Sequence, residues 1–446
     1  MLTLAKALRL SKPAPVAFAG AGGKTTAMFQ LARALSPALV TTTTHLGAWQ
    51  TGLADKHLVW EDGTTLPEIP VSAGVVLLSG ALDPGSNRYG GLNPEQLKTL
   101  HQFSNSHNLP LLIEADGSRQ KALKAPAEHE PVIPPFIEMV VVVAGLSGLN
   151  RPLNEETVHR PERFAALSSN QMGGNVSAAG LVQVLNHAGG GLKNIPTGAR
   201  RVALLNQADT AELQSVGGGM AKELLKNYES ALVTSLEAGQ IHAVFESVAG
   251  IILAAGESSR YGKPKQLLDF HGEPFVRRVA KTALAAGLSP VVVVTGANAQ
   301  AVEAVVSDLN VVIARNSAWQ EGQSSSIRAG LPPHSARPSA GQVGAAIFLL
   351  ADQPQVTRHV LEALKSRHAE GLFPIVAPLI ADRRGNPVLF DRVTFADLLK
   401  LEGDIGGRAL FRNYPVEYIP WHDEHLLFDV DNEDDYRKLL AWGVEE

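Results

Sequence analysis

The sequence predicts an α/β protein built from two tandem doubly wound domains, and three observations carry that reading. Short β-rich apolar runs alternate with helix-like segments along nearly the whole of the 446 residues. Most of these runs are uninterrupted rather than alternating, the pattern of strands buried on both faces of a parallel sheet. A strand runs straight into a glycine-bearing loop twice, at Val16–Lys24 and again at Ile251–Lys265. In open α/β sheets ligands sit beyond the carboxyl ends of strands, so two such loops far apart predict two ligand-binding domains.

The expected strands, in order, are Pro15–Ala19, Ala38–Thr42, Val75–Ser79, Leu109–Glu114, Met139–Ala144, Val202–Asn206, Gly250–Ala254, Pro290–Thr295, Ala345–Leu350 and Pro374–Ala377. The Gly-rich stretches His187–Ile195 and Ser215–Gly219 read as loops of the first half, and the Pro/Ser-rich Pro332–Ala340 as a surface loop of the second. The boundary is expected near Glu246–Val248, which divides the chain into residues 1–247 and 248–446. No internal repeat at solenoid periods is present.

Composition narrows the function. With 39 basic and 44 acidic residues the formal charge is −5, which argues against a nucleic-acid binder that neutralises many phosphates. The absence of cysteine excludes disulfides, thiolate metal sites and a cysteine nucleophile, so any metal sits on oxygen or imidazole. No apolar run approaches the roughly 18 residues of a membrane helix. The N-terminal apolar stretch is short and broken by two prolines, unlike a signal peptide, so the expected location is the cytoplasm.

The first loop reads strand, glycine turn, Lys-Thr-Thr, then an apolar helix. A phosphate loop needs inward backbone N–H groups, hence glycine, together with a lysine for the phosphates and a hydroxyl for Mg²⁺. Gly20, Gly22, Gly23, Lys24 and Thr25 supply these in a shortened variant, since Phe18 stands where the longer G-x-x-x-x-G-K-[ST] pattern has its first glycine. Ile113–Asp116 ends an apolar strand in two carboxylates, of which Asp116 is the expected Mg²⁺ ligand together with Thr25. Val202–Asp209 runs a strand into N-Q-A-D, and Asn206 and Asp209 fit the way many GTPases read guanine; the first site is therefore expected to hold GTP or ATP. An Asx-capped turn explains the same four residues nearly as well.

Taken together, GAGGKTT at Gly20–Thr26, TTTTH at Thr41–His45, EADGSRQKALKAP at Glu114–Pro126 and GLNRPLNEETVHRPE at Gly148–Glu162 resemble the YqeC family, accessory proteins of selenium-dependent molybdenum hydroxylases. The resemblance implies a P-loop-type nucleotide-binding domain. His45 and His159 lie inside the matching segments and are given no catalytic role, because a lone histidine is more often structural.

In the second loop, Leu253, Ala254, Ala255 and Gly256 let a nucleotide approach the backbone, and Arg260, Lys263 and Lys265 follow to neutralise its phosphates. This stretch resembles L-A-A-G-x-S-x-R-x-G-x-x-K of the molybdopterin nucleotidyltransferases. Four further segments agree: Trp319–Leu331 with its serines, Leu350–Pro354, Arg384–Phe390 and Glu402–Leu410, where Gly407 replaces the family's alanine. The resemblance spans residues 249–442 and is close to the molybdenum cofactor cytidylyltransferases, with a Rossmann-like fold. It implies Lys265, Arg260 and Asp352 as catalytic residues, Mg²⁺ on Asp352 and Asp431 with Asp429 the alternative, and Ser324, Ser325 and Ser326 facing cytosine or ribose. Asn386, Asp404 and Arg408 would line the pterin side. CTP is the expected substrate and molybdenum-molybdopterin the acceptor, with a recipient molybdenum hydroxylase as partner. Two rivals stand beside this reading: a non-catalytic cofactor chaperone with a nucleotide switch, and a cytidylyltransferase acting on a sugar or polyol phosphate.

Overall fold

The computed structural model describes residues 2–10, 13–72, 74–258, 261–331 and 343–442. The chain divides into two compact units, Met1–Phe245 and Glu246–Glu446.

In the first unit the elements run β1 (Pro15–Gly20), α1 (Lys24–Ala34), β2 (Ala38–Thr42), β3 (Lys56–Val59), β4 (Val75–Ser79), α2 (Pro94–Ser106), β5 (Leu111–Glu114), β6 (Met139–Gly145), α3 (Ala178–Asn186), β7 (Arg200–Asn206), α4 (Ala211–Leu224), β8 (Ser230–Ser235) and β9 (Gln240–Glu246). They form a nine-stranded sheet of order β9-β8-β7-β6-β1-β5-β2-β4-β3. Pairing is parallel from β8 across to β3. The apolar runs become the sheet interior because both faces are covered, and Val16, Ala17, Phe18, Leu39, Leu77, Leu112 and Ile113 are all essentially inaccessible. Each large side chain buried this way contributes about 1.5–3 kcal/mol.

Three strands of this nine-stranded sheet were not expected. Lys56–Val59 is a half-exposed edge strand with a charged start, and Ser230–Ser235 carries hydroxyl residues at half its positions. Gln240–Glu246 is mostly half-buried. None offers the continuous apolar run that marks a central parallel strand. The stretch Ser215–Gly219, expected as a loop, lies inside α4. The physical reason is packing: a Cβ on Gly217 would stand 3.0 Å from Leu146 and 3.1 Å from Val233, so glycine lets the helix close on the sheet.

The second unit runs β10 (Val248–Ala254), α5 (Phe275–Ala285), β11 (Val291–Thr295), α6 (Ala299–Val306), β12 (Val312–Arg315), α7 (Gln323–Gly330), β13 (Ala345–Leu350), α8 (Arg358–Gly371), β14 (Ile375–Ile380), β15 (Arg383–Arg384), β16 (Val388–Asp391), β17 (Val416–Pro420) and α9 (Glu433–Leu440). The sheet order is β12-β11-β10-β13-β16-β14-β15, with β17 also paired to β14. Its β12-to-β13 half is parallel, whereas β16 runs antiparallel to both β13 and β14. The chain is thus a mixed α/β protein. One core lies on the α5 and α8 side of this sheet and another on the α7 side. The expected loop Pro332–Ala340 lies outside the described residues. Among the described residues no helix is long and apolar enough to cross a membrane.

Candidate functional site

The first site forms where β1, β5 and β2 end together. Register places Phe18 opposite Glu114 and Thr42 opposite the same Glu114, while Gly20 pairs with Val143 of β6. The chain then turns through Gly20, Gly22 and Gly23, all at positive φ, before α1 begins at Lys24. A side chain at Gly20 would run into the Val143 carbonyl, so glycine is required there. Helix α1 has no side-chain cap.

Lys24 is 3% exposed. Its Nζ donates to the Gly20 carbonyl at 2.7 Å and lies 3.3 Å from Asp116 Oδ1 and 3.8 Å from Glu114 Oε1. The Thr25 hydroxyl donates to Glu114 Oε2 at 2.9 Å and accepts from Gln50 Nε2 at 3.1 Å. Burial pushes the Glu114 carboxyl up from its ordinary range, against the pull of Lys24 and Thr25.

Asp116, expected as a metal ligand, is engaged here by groups of the protein itself. Asp116 accepts from the Gly20 N–H with both oxygens, at 3.1 and 3.2 Å, and from Lys124 Nζ at 2.8 Å. It is turned beneath the glycine loop and saturated by donors. Glu114, at the strand's end, is the carboxylate that reaches the Thr25 hydroxyl.

Behind Asp116 an ion network continues. Lys124 also donates to Gly117 O at 2.7 Å and Glu130 Oε2 at 2.8 Å, and Arg160 grips Glu130 with two bonds of 2.8 and 3.0 Å. Burial alone would raise the Glu130 carboxyl, but hydrogen bonds from Arg160 and Lys124 outweigh it and hold the group at about 2. His159 is lowered to about 4, by burial first and then by Arg160, Lys124 and Arg119. Sequence reasoning assigned none of Gln50, Lys124, Glu130 or Arg160. Lys124 and Arg160 stand in the family-like segments, yet nothing in their spacing shows that they meet.

Asn206, expected at the nucleotide, also bonds to the protein itself. It is buried, donates to Gly22 O at 2.8 Å, and accepts from Thr234 Oγ1 at 3.1 Å and the Leu236 N–H at 3.0 Å. It clamps the glycine loop to the ends of β7 and β8. Asp209 is exposed, close enough to His242 to act on its charge.

In the second unit β10 delivers Leu253 and Ala254 into a loop through Ala255 and Gly256. Gln266, unassigned from sequence, folds back to donate to Gly256 O at 3.0 Å, and its Oε1 accepts from Ser258 at 3.1 Å. The Ser258 hydroxyl in turn accepts from the Lys265 N–H at 3.1 Å. Lys265 Nζ then reaches Asp431 Oδ1 at 3.0 Å. Arg260 lies outside the described residues. Asp352 follows β13, and burial raises its carboxyl; Lys265 opposes the shift, while Asp429 and Asp431 reinforce it. Gln353 donates to Asp429 at 2.8 Å. One lysine and three aspartates, drawn from three separated stretches of the sequence, therefore share one electrostatic neighbourhood.

The serine segment is packed at the start of α7. Ser324, Ser325 and Ser326 are buried at the start of α7, and Asn316 Nδ2 donates to Ser325 at 2.8 Å and Ser326 at 3.1 Å. The first amides of α7 are taken by the 402–410 loop: Ser324 N–H donates to Gly403 O at 3.2 Å and Gln323 N–H to Asp404 Oδ1 at 3.3 Å. Asp404 is therefore a cap on α7. Arg408 and Asn386 do meet, at 3.4 Å.

Among the described residues no group of three or more His, Asp or Glu side chains forms a metal cage. The oxygen-only donors at both sites fit a hard cation such as Mg²⁺, which takes one or two carboxylates and completes its shell with phosphate oxygens and water.

Residues 16–162 match the family described as YqeC protein, and residues 250–418 match the MobA-like NTP transferase domain. The YqeC protein of Escherichia coli (strain K12) is 32% identical over 208 residues, 45% of this chain and 78% of that protein. Nicotine blue oxidoreductase of Paenarthrobacter nicotinovorans is 34% identical over 202 residues, 43% of this chain and 96% of that protein. The crystal structure of Rv0371c from Mycobacterium tuberculosis H37Rv, 29% identical, covers 44% of this chain and 98% of its own with a TM-score of 0.38.

Proposed function

We propose a function for a chain that belongs to the YqeC family through its N-terminal half and carries a MobA-like NTP transferase domain in its C-terminal half. The second unit, a nucleotidyltransferase, transfers CMP from CTP to molybdenum-molybdopterin and releases pyrophosphate. The first unit, of P-loop type, binds GTP or ATP and serves maturation of a molybdenum hydroxylase. The observation that carries the reading is the gathering of Lys265, Asp352, Asp429 and Asp431 beside the Leu253–Gly256 loop.

The chemistry follows from charge. An oxygen of the acceptor's terminal phosphate, already ionised, attacks the α-phosphorus of CTP, and the bond to the β-phosphate bridging oxygen breaks. No general base is needed. Lys265 is held at the loop by Ser258 and stabilises the charge that accumulates on departing pyrophosphate. Asp352 and Asp431, with Asp429 as alternate, would hold Mg²⁺, which when bound neutralises phosphate charge. At the first unit Thr25 and Glu114 are the residues that would hold the cation. Asn386 and Arg408 would line the acceptor side, and tethering the two units raises the effective concentration for handover of the cofactor.

The test incubates the protein with each NTP, Mg²⁺ and molybdenum-molybdopterin and scores pyrophosphate. Release with CTP well above that with GTP is expected. Cofactor binding without pyrophosphate from any NTP would establish the chaperone reading instead, and transfer to a sugar phosphate would redirect the acceptor. An oxidoreductase role, as in the name of one relative, predicts turnover without pyrophosphate.

A further inference from the structure

We propose that Gln353 is a positioning residue of the second unit, holding Asp429 as the carboxylate that joins Asp352 around the divalent cation. The inference rests on the reading of that unit as a cation-dependent nucleotidyltransferase, and it decides between the two acids available beside Asp352.

Gln353 follows directly on Asp352, just past the end of β13, and is only 3% exposed. Its Nε2 donates to Asp429 Oδ1 at 2.8 Å, across 76 positions of the sequence. Its Oε1 is buried and has no hydrogen-bond partner among the described residues. The amide cannot be turned end for end, because its oxygen would then face the carboxylate. A buried carbonyl oxygen without a partner costs free energy, and an apolar side chain of the same shape would avoid that cost. The fold therefore gains little from an amide at this position. What the amide supplies is one donor aimed at Asp429, which is itself exposed and would otherwise be free to turn.

Asp431 is engaged differently. Its Oδ1 accepts from Lys265 Nζ at 3.0 Å, and its N–H donates to Asp435 Oδ2 at 3.3 Å. An ammonium group against a carboxylate offsets the charge that attracts a metal, whereas a neutral amide orients Asp429 and leaves its charge whole. The electrostatics at Asp352 agree: burial raises its carboxyl most, Lys265 opposes, and of the two acids Asp429 reinforces the rise more than Asp431. Asp352 and Asp429 then supply the two carboxylates that a small hard cation takes, and the amide behind one of them orients it, as the outer partners of metal ligands do.

The experiment measures Mn²⁺ binding by the full chain, from the electron paramagnetic resonance signal of the free ion, beside thermal melting. Asp352→Asn identifies the cation site of the second unit by the binding it removes. Gln353→Met keeps the length of the side chain and removes the donor. It should weaken that binding by about tenfold, with a melting temperature equal to or above that of the wild type. Asp429→Asn should weaken it at least as far, and Asp431→Asn less. Gln353→Met added to Asp429→Asn should cost nothing more, because the amide acts through that carboxylate. Asp429 is exposed, so its variant carries the test should Gln353→Met fail to fold. A lower melting temperature with unchanged Mn²⁺ affinity in Gln353→Met makes the bond a structural tie and overturns the proposal. So do additive losses in the double variant, or a loss in Asp431→Asn with none in Asp429→Asn. Mn²⁺ binding untouched by Asp352→Asn would instead overturn the cation site itself, and with it the reading on which the inference rests.

Discussion

The two glycine-bearing loops of this chain hold their lysines at opposite degrees of burial. Lys24 and Asp116 are each 2% exposed at the side chain, and their ion network runs inward through Lys124 to Glu130. Lys265 is 12% exposed, and its partner Asp431 is 70% exposed. Buried charges are tolerated when they are paired, and Lys24 is held by Gly20 O, Asp116 and Glu114. An open pair such as Lys265–Asp431 adds little stability, and either partner is free to turn to substrate. The difference teaches that the first loop's charges are part of its unit's buried interior, whereas the second loop's lysine pairs at the surface.

Substitutions at the two sites should break or sharpen this contrast. The largest effect is expected from Asp352→Asn, which keeps shape but removes charge. Transfer should fall about a thousandfold, the equivalent of roughly 4 kcal/mol, with cofactor binding in the absence of Mg²⁺ nearly unchanged. Full transfer by this variant would move the metal to Asp429 and Asp431.

Next comes Lys24→Ala. Nucleotide binding by the first unit should drop by about a hundredfold or more, while pyrophosphate release by the second stays within about twofold. Loss of transfer in this variant would show that the two sites are not separate.

A third outcome tests how far the buried network stabilises the first unit. The Glu130 carboxyl is depressed from 4.5 to about 2 in the folded protein, so the unfolded state binds its proton more readily. Its contribution is therefore fully present above about pH 4.5 and is lost as the pH falls through about 2. At 1.36 kcal/mol per unit it amounts to about 3 kcal/mol at neutral pH. Chemical denaturation across that window should show this loss in the wild type, and Glu130→Gln should remove most of the slope. Parallel curves for the two proteins would mean that the network is not coupled to folding.

The smallest effect concerns the base. In Asp209→Asn, GTP affinity should weaken by about tenfold and ATP affinity hardly at all, as expected for loss of one charged hydrogen bond. Equal affinities before and after would reduce residues 206–209 to a turn that clamps the glycine loop.

The sequence by itself determined the class of fold and the two loops. All ten expected strands are present, from Pro15–Gly20 to Ile375–Ile380, because a continuous apolar run between polar turns can only be buried on both faces. The glycine turn at Gly20–Gly23 was legible for the same local reason, since backbone conformation there depends on adjacent residues. Tertiary structure alone decided which side chains meet. Gly20 and Asp116 are 96 positions apart, Gly22 and Asn206 184, and Lys265 and Asp431 166. Whether Glu114 or Asp116 faces the Thr25 hydroxyl depends on strand register, which sets Glu114 opposite Phe18. Whether three serines face a ligand or Asn316 depends on how the 402–410 loop seals the start of α7. Apolar periodicity follows from a free-energy gain that each residue makes alone, so it is written locally. The partner of a charge or a hydroxyl is chosen by geometry that exists only once the sheet has closed.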